Sequence, residues 1–159
     1  MKINIIDENN FVIFLNKSLY KELNIENQEN LEANFKNIFR KLKERYQIDV
    51  NGYYNITVYK DEFYGTILEI EKEEINYFDY DIDMHLNIKQ TPILYEVEDI
   101  FDFINKTIYL YKNKYYLKLE RVKNEFELGR ITEHSKITYG LIVDEILKYG
   151  TVISPNFFF

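Results

Sequence analysis

The sequence predicts an α+β fold of two small units, in each of which antiparallel β-hairpins pack with helices. Short apolar or alternating runs come in pairs separated by turn-forming residues, a pattern typical of hairpins. Other segments carry apolar residues at steps of three and four, as one face of a helix requires. Strands and helices do not alternate strictly in either half, so mainly antiparallel pairing is expected.

A hairpin and then a helix are expected at the start of the chain. Residues 2–6 and 11–15 are largely apolar and flank residues 7–10, whose Asp and Asn side chains suit a tight turn. From Asn30 onward the apolar period changes to three and four, which predicts an amphipathic helix of about four turns. The apolar stripe of this helix consists of Leu31, Phe35, Ile38, Phe39, Leu42 and Tyr46.

A second hairpin and an acidic segment follow the helix. Residues 53–59 and 65–71 alternate in polarity, which predicts two strands that turn at residues 60–62. Residues 69–83 carry seven acids against Lys72 alone, a local net charge of −6 that favours an exposed connector. The predicted organisation is an N-terminal unit at residues 1–74, a connector at 75–83 and a C-terminal unit at 84–159.

The second half is expected to begin with a strand, a short helix and a third hairpin. The strand is predicted at residues 93–97 and the short helix at 99–105. Residues 107–111 and 115–120 predict the hairpin, with Asn113 at its tip in a conformation of positive φ.

A last helix is expected over residues 138–148, ended by Gly150 and followed by a strand at 151–154. Its inward side chains are predicted to be Leu141, Ile142 and Ile146. Residues 123–136 are polar and irregular in period, and no element is predicted there. The three phenylalanines at 157–159 must either pack or form a contact.

Composition excludes several classes of protein. The chain has 159 residues, 46% of them apolar, which is enough for a core and argues against disorder. No apolar run approaches the ~18 residues of a membrane span, and no signal segment opens the chain, so a cytoplasmic location is expected. Cysteine is absent, and the net charge of −7 disfavours binding to duplex nucleic acid.

The strongest candidate for metal chemistry is the alternating run of Asp79, Asp81, Asp83 and His85, which would direct four ligands to one side of a strand. It does not match a calcium loop, because Met84 replaces the required Gly and Gln90 replaces the bidentate Glu. A solvated acidic linker is the simpler interpretation. No cofactor is expected.

Other catalytic signals are sparse. Glu133, His134 and Ser135 have the residue types of an acid–base pair, but adjacent residues rarely form one, and a surface loop is the simpler interpretation. The strands of the hairpins are rich in Tyr, which protein-binding surfaces use because a rigid ring covers area at low entropic cost. The sequence therefore favours a protein that binds over one that catalyses.

The second half also carries segments that resemble a known family. LYEVEDIFDFI (94–104), TIYLYKNKYYLKLE (107–120) and DEILKYGTVIS (144–154) are similar to the C-terminal domain of the MecA adaptor proteins, which hand substrates to the bacterial unfoldase ClpC. The strands of residues 1–15 and the helix that contains Phe35 are similar in order and spacing to that family's substrate-binding N-terminal domain.

The resemblance implies a non-enzymatic adaptor whose partners are a ClpC-type AAA+ unfoldase and a substrate protein. In the family, acidic residues of two Glu-Tyr-Gly-like motifs are implicated in docking to ClpC. The first aligns with Glu133, and the second aligns with Lys148, where the charge is reversed. The expected docking surface consists of Tyr116, Glu133, Glu145, Lys148 and Tyr149.

Two alternatives remain open. A small acidic scaffold rich in Tyr also suits an inhibitor of host or phage type that blocks a partner's surface. A metal-dependent enzyme built on the run from Asp79 to His85 is the other.

Overall fold

The computed structural model describes residues 2–17, 31–47, 51–73, 82–100, 103, 106–122 and 124–153. The chain divides into two compact units, one of residues 1–60 and 65–89 and the other of residues 61–64 and 90–159. Each unit contains a five-stranded sheet. Helices accompany strands that pair mainly antiparallel, so the predicted α+β class is confirmed.

The first sheet has the strand order β1-β2-β4-β3-β5. Its strands are β1 (Lys2–Ile5), β2 (Asn10–Asn16), β3 (Gly52–Asp61), β4 (Gly65–Lys72) and β5 (Ile82–Lys89). β1 and β4 both pair antiparallel with β2, whereas β5 pairs parallel with β3. The turn between β3 and β4 lies at residues 62–64, two residues later than predicted.

Helix α1 (Leu31–Tyr46) belongs to the first unit, and its predicted stripe is confirmed wherever its side chains are described. Phe35, Ile38, Phe39 and Leu42 are all buried in one cluster with residues of the first sheet. The ring centroids of Phe39 and Tyr54 lie 4.8 Å apart. The side chains of Leu31 and Tyr46 lie outside the described residues.

Strand β5 corrects the predicted boundary. Residues 84–89, assigned from the sequence to the C-terminal unit, lie in the first sheet, and the division between the units falls after Lys89. Ile82 and Met84 are buried while Asp83 and His85 are exposed, as expected for alternation along a strand. The acidic composition of this segment favoured a connector over a strand. The charged residues are compatible with a strand because they lie on its solvent-exposed face only. Residues 75–81 of the predicted connector lie outside the described residues.

The second sheet has the strand order β10-β7-β8-β6-β9, and all four of its strand pairs are antiparallel. Its strands are β6 (Leu94–Val97), β7 (Thr107–Tyr111), β8 (Lys114–Lys118), β9 (Lys136–Thr138) and β10 (Thr151–Ile153). Lys112 and Asn113 form the turn between β7 and β8 with φ of 48° and 63°, which confirms the predicted positive φ of Asn113.

Two helices accompany the second sheet, α2 (Glu125–Glu133) and α3 (Leu141–Tyr149). Helix α2 was not predicted. The side chain of Asn124 caps its first turn by accepting a hydrogen bond from the Glu127 N–H at 2.9 Å. Helix α3 begins three residues later than predicted, because residues 136–138 pair with β6 as β9.

Of the short helix predicted at residues 99–105, residues 101–102 and 104–105 lie outside the described residues. Asp99 and Ile100 are not helical, whereas Phe103 lies in a 3₁₀ turn. The Phe103 N–H donates to the Ile100 carbonyl at 3.0 Å and the Lys106 N–H donates to the Phe103 carbonyl at 2.9 Å, which is the three-residue spacing of such a turn.

Candidate docking surface

Helix α3 packs its inner side against one face of the second sheet. Val143 and Ile146 are fully buried in a cluster with Leu94 and Tyr116. Tyr116 was expected on the docking surface, but its side chain is only 7% exposed and lies in this core. Burial also raises the pKa of Tyr116, with the charge of Glu96 acting in the same direction. Tyr116 therefore supports α3 and is not itself available to a partner.

The outer side of α3 combines apolar and charged residues, where a surface helix is usually polar throughout. Leu141 is 74% exposed, Ile142 38% and Tyr149 66%, and Asp144, Glu145 and Lys148 are exposed beside them. The prediction that Leu141 and Ile142 face inward is wrong. Leu141 lies three and four residues before Asp144 and Glu145, on the charged side of α3, so its apolar character alone misled the prediction.

Of the three charged residues on the outer side, Glu145 and Lys148 have local partners. Glu145 Oε2 accepts a hydrogen bond from the Tyr111 hydroxyl at 3.1 Å. Lys148 Nζ lies 5.1 Å from the centroid of the Tyr149 ring, within cation–π range. Lys148 also belongs to the last turn of α3, where a cation is favourable for the helix dipole. Both charges are thus held at the border of the apolar side chains.

Gly150 lets the chain turn directly from α3 into β10. Its N–H donates to the Ile146 carbonyl at 2.8 Å, and a Cβ at this position would lie 2.5 Å from that carbonyl oxygen. Its φ is −69°, so close approach and not positive φ requires glycine here.

Val152, on the following strand, pairs with Tyr109 and is 57% exposed. Since Tyr109 packs against the core beneath α3, Val152 lies on the same face of the sheet as α3.

We name as the α3 surface the exposed side chains of Leu141, Ile142, Asp144, Glu145, Lys148, Tyr149 and Val152. It contains three of the five residues expected in the docking surface. Leu141, Ile142 and Val152 were missed because the sequence does not distinguish an exposed apolar residue from a core residue.

Glu133 lies in a different place. It is exposed at the end of α2, where it lines a cleft of about 970 Å³ together with Arg130, His134 and Lys136. The lining of this cleft includes no residue of the α3 surface. The predicted grouping of Glu133 with Glu145 is therefore not seen in the structure.

The candidate metal run is only partly described. Asp79 and Asp81 lie outside the described residues, and Asp83 and His85 project from β5 into solvent. Within the described part of the chain, no three His, Asp or Glu side chains are grouped in a way that could hold a metal ion.

The acid–base candidate near Ser135 has no supporting hydrogen bond. The Ser135 hydroxyl is buried and has no hydrogen-bond partner, so His134 does not activate it in this arrangement. The phenylalanines at residues 157–159 lie outside the described residues.

Comparisons of the chain with protein-family models, with curated proteins and with solved structures found no match. Among the described helices, none combines the length and the apolar character that crossing a membrane requires.

Proposed function

We propose that this chain is a non-enzymatic adaptor that binds proteins, and that the α3 surface is where it docks to its partner. The observation that carries the proposal is the outer side of α3, where Leu141, Ile142 and Tyr149 are exposed on one helix. Clustered apolar side chains with charges at their border are typical of interaction sites. Tyr is also one of the residue types that most often dominate binding energy at protein interfaces.

The partner that the MecA resemblance implies is a ClpC-type AAA+ unfoldase. An adaptor needs no catalytic group, because it acts by raising the local concentration of a substrate near a second machine. The sparse catalytic inventory of the sequence agrees with such a role. The first unit, whose order of strands and helix is similar to the family's substrate-binding domain, would then hold the substrate.

The test is the affinity of the full-length chain for a purified ClpC-type unfoldase, measured by surface plasmon resonance. Leu141→Asp places a charge within the α3 surface and should weaken binding at least about tenfold. Phe126→Asp is the matched control, because Phe126 is an apolar residue of α2 that is 82% exposed. It should leave the affinity unchanged.

Two results would count against the proposal. One is no detectable binding of the unaltered chain at ~100 μM, which corresponds to about −5.5 kcal/mol. The other is equal loss for the two variants, since the α3 surface would then not be the docking site. A complex that forms but stops the unfoldase from processing substrates would identify an inhibitor instead of an adaptor.

A further inference from the structure

Strand β5 (Ile82–Lys89) forms one edge of the first sheet. It is the last strand in the order of that sheet, and within the part of the chain that the structure describes no strand pairs with its outer side. All eight of its residues are in register with β3, from Gly52 opposite Ile82 to Tyr59 opposite Lys89, without a bulge. The backbone groups on the outer side of β5 therefore form one regular row that a further strand can extend.

The other three edge strands of the two sheets are short. β1 has four residues, and β9 and β10 have three each. Proteins commonly protect a sheet edge by shortening the edge strand or by placing a bulge or a proline in it. β5 is the longest of the four edge strands, its register is continuous, and it contains no proline. Among these edges, β5 is the one best suited to pairing with another chain.

The charges of β5 select one antiparallel register with a second copy of the chain. Directly opposed side chains of antiparallel strands lie on the same face of the sheet, with their Cβ atoms about 4.5–5.5 Å apart. When Leu86 lies opposite Leu86 of the second copy, Asp83 lies opposite Lys89 of the second copy, and the same pair forms again on the other side of Leu86. A slip of two residues, the smallest that keeps the faces matched, separates these charges.

The side chains of Asp83 and Lys89 are available for this pairing. Asp83 Oδ1 accepts a hydrogen bond from the Met84 N–H at 2.9 Å, so the carboxylate lies against the backbone of β5. Among the described residues, neither Asp83 nor Lys89 has an ion-pair partner. The two residues lie six positions apart on one strand, which is about 20 Å, so they do not neutralise each other within one chain. A second copy supplies both of the missing opposite charges.

The other face of β5 would gain apolar contacts from the same register. Ile88 is 39% exposed, and Leu86 is half-buried where it packs against the core beneath α1. Ile88 would lie opposite Met84 of the second copy, and Leu86 would lie opposite its own counterpart. Pairing therefore covers apolar side chains that a single chain leaves partly in water.

We propose that two copies of this chain associate through β5, which pairs antiparallel with its counterpart about a two-fold axis at Leu86. The pairing joins the two five-stranded first sheets into one continuous sheet, and Asp83 and Lys89 form two identical ion pairs across the axis. A single strand pair buries less than the ~1,200 Å² of a standard interface, so the dimer is expected to be weak and to form at micromolar concentrations. The proposal is independent of docking at the α3 surface.

The test is sedimentation velocity of the full-length chain at concentrations from ~5 to ~500 μM, where the unaltered chain should shift from monomer to dimer. Asp83→Lys and Lys89→Asp each place like charges opposite each other, and each should weaken dimerisation at least about tenfold. The matched control is Lys2→Asp, which makes the same change of charge at an exposed lysine of β1, the other edge of this sheet. It should leave dimerisation unchanged.

The two single variants should complement each other. In a mixture of Asp83→Lys and Lys89→Asp chains, both pairs across the axis again consist of opposite charges. The mixture should therefore form a heterodimer, and the double variant Asp83→Lys/Lys89→Asp should dimerise as tightly as the unaltered chain. A role of these residues in the fold of one chain would not produce this rescue, because neither contacts the other within that chain.

Three results would overturn the proposal. They are a chain that stays monomeric at ~500 μM, equal weakening by Lys2→Asp and Lys89→Asp, and a mixture of the two single variants that does not associate. If Asp83→Lys lowers the melting temperature, the comparison of Lys89→Asp with Lys2→Asp still decides. Leu141→Asp should leave the dimer intact, and a dimer that this variant abolished would place the contact at the α3 surface and not at β5.

Discussion

Helices α1 and α3 both bury one side, but their outer sides differ. On α1 the described exposed positions are polar or charged apart from Ala33, and they include Arg40, Lys41 and Lys43. On α3 the exposed positions include Leu141, Ile142 and Tyr149. Removing apolar surface from water is favourable, so the exposed apolar side chains of α3 are suited to contact with a partner. The polar outer side of α1 is well solvated without one.

The largest expected effect lies in the core beneath α1. Phe39→Ala should lower the free energy of unfolding by ~3–5 kcal/mol, because a fully buried ring is replaced by a cavity. Lys43→Ala on the exposed side should change it by less than ~0.5 kcal/mol. Urea denaturation of the two variants measures the difference. Equal midpoints would show that the sides of α1 are misassigned.

The same comparison on α3 decides whether its exposed apolar residues support the fold. Ile146→Ala should cost ~2–4 kcal/mol, since Ile146 is fully buried. Leu141→Ala should cost less than ~0.5 kcal/mol, since three quarters of Leu141 is already in water. Thermal unfolding of both variants would contradict the structure if Leu141→Ala were the more damaging of the two.

The contrast between α1 and α3 also explains what the sequence could predict. The residues of α1 separate into one apolar and one charged side, so period alone identified Phe35 and Phe39 as core. On α3 the apolar Leu141 lies on the same side as the charged Asp144 and Glu145, and the packing of Val143 and Ile146 on the sheet shows which side is buried. Tyr116 was predicted on the surface for a related reason. Successive side chains of a strand point to opposite faces of the sheet, and the sequence does not show which face a helix covers.

Helix α2 was missed although the sequence carried a signal for it. Asn124 followed three residues later by Glu127 is a pattern typical of a helix N-terminus. The helix buries only Ile131 among its residues, so its apolar period is weak. Because α2 was not predicted, there was no reason to expect the cleft.

The end of α3 provides a smaller and more specific test. Gly150→Ala brings a methyl group into the Ile146 carbonyl oxygen, so the backbone must shift at a cost of ~1–3 kcal/mol. The matched control is Gly129→Ala in α2, where an added Cβ meets nothing within 4 Å. That change should raise stability by ~0.5–1 kcal/mol, because alanine is the better helix former. Calorimetry that found the two variants shifted in the same direction would contradict the close approach at Gly150.

Replacing a lysine at the end of α1 or of α3 is expected to cause the smallest change in the free energy of unfolding. Comparing the two variants separates an effect on the helix dipole from an effect on docking. Lys43 and Lys148 both lie in the last turn of their helices and are exposed. Replacing either with Glu places a negative charge at the negative end of the helix dipole and should cost ~0.3–1 kcal/mol. The two variants should therefore lose a similar amount of stability.

Their effects on the partner should differ. Lys148→Glu restores the acid that the MecA resemblance implies at this position, so affinity for a ClpC-type unfoldase should rise about fivefold, whereas Lys43→Glu should leave it unchanged. Surface plasmon resonance with both variants measures this. Lower affinity for Lys148→Glu would mean that Lys148 faces an acidic partner surface, and equal affinities would mean that it makes no contact. In both cases the ClpC partner would lose its support from this residue.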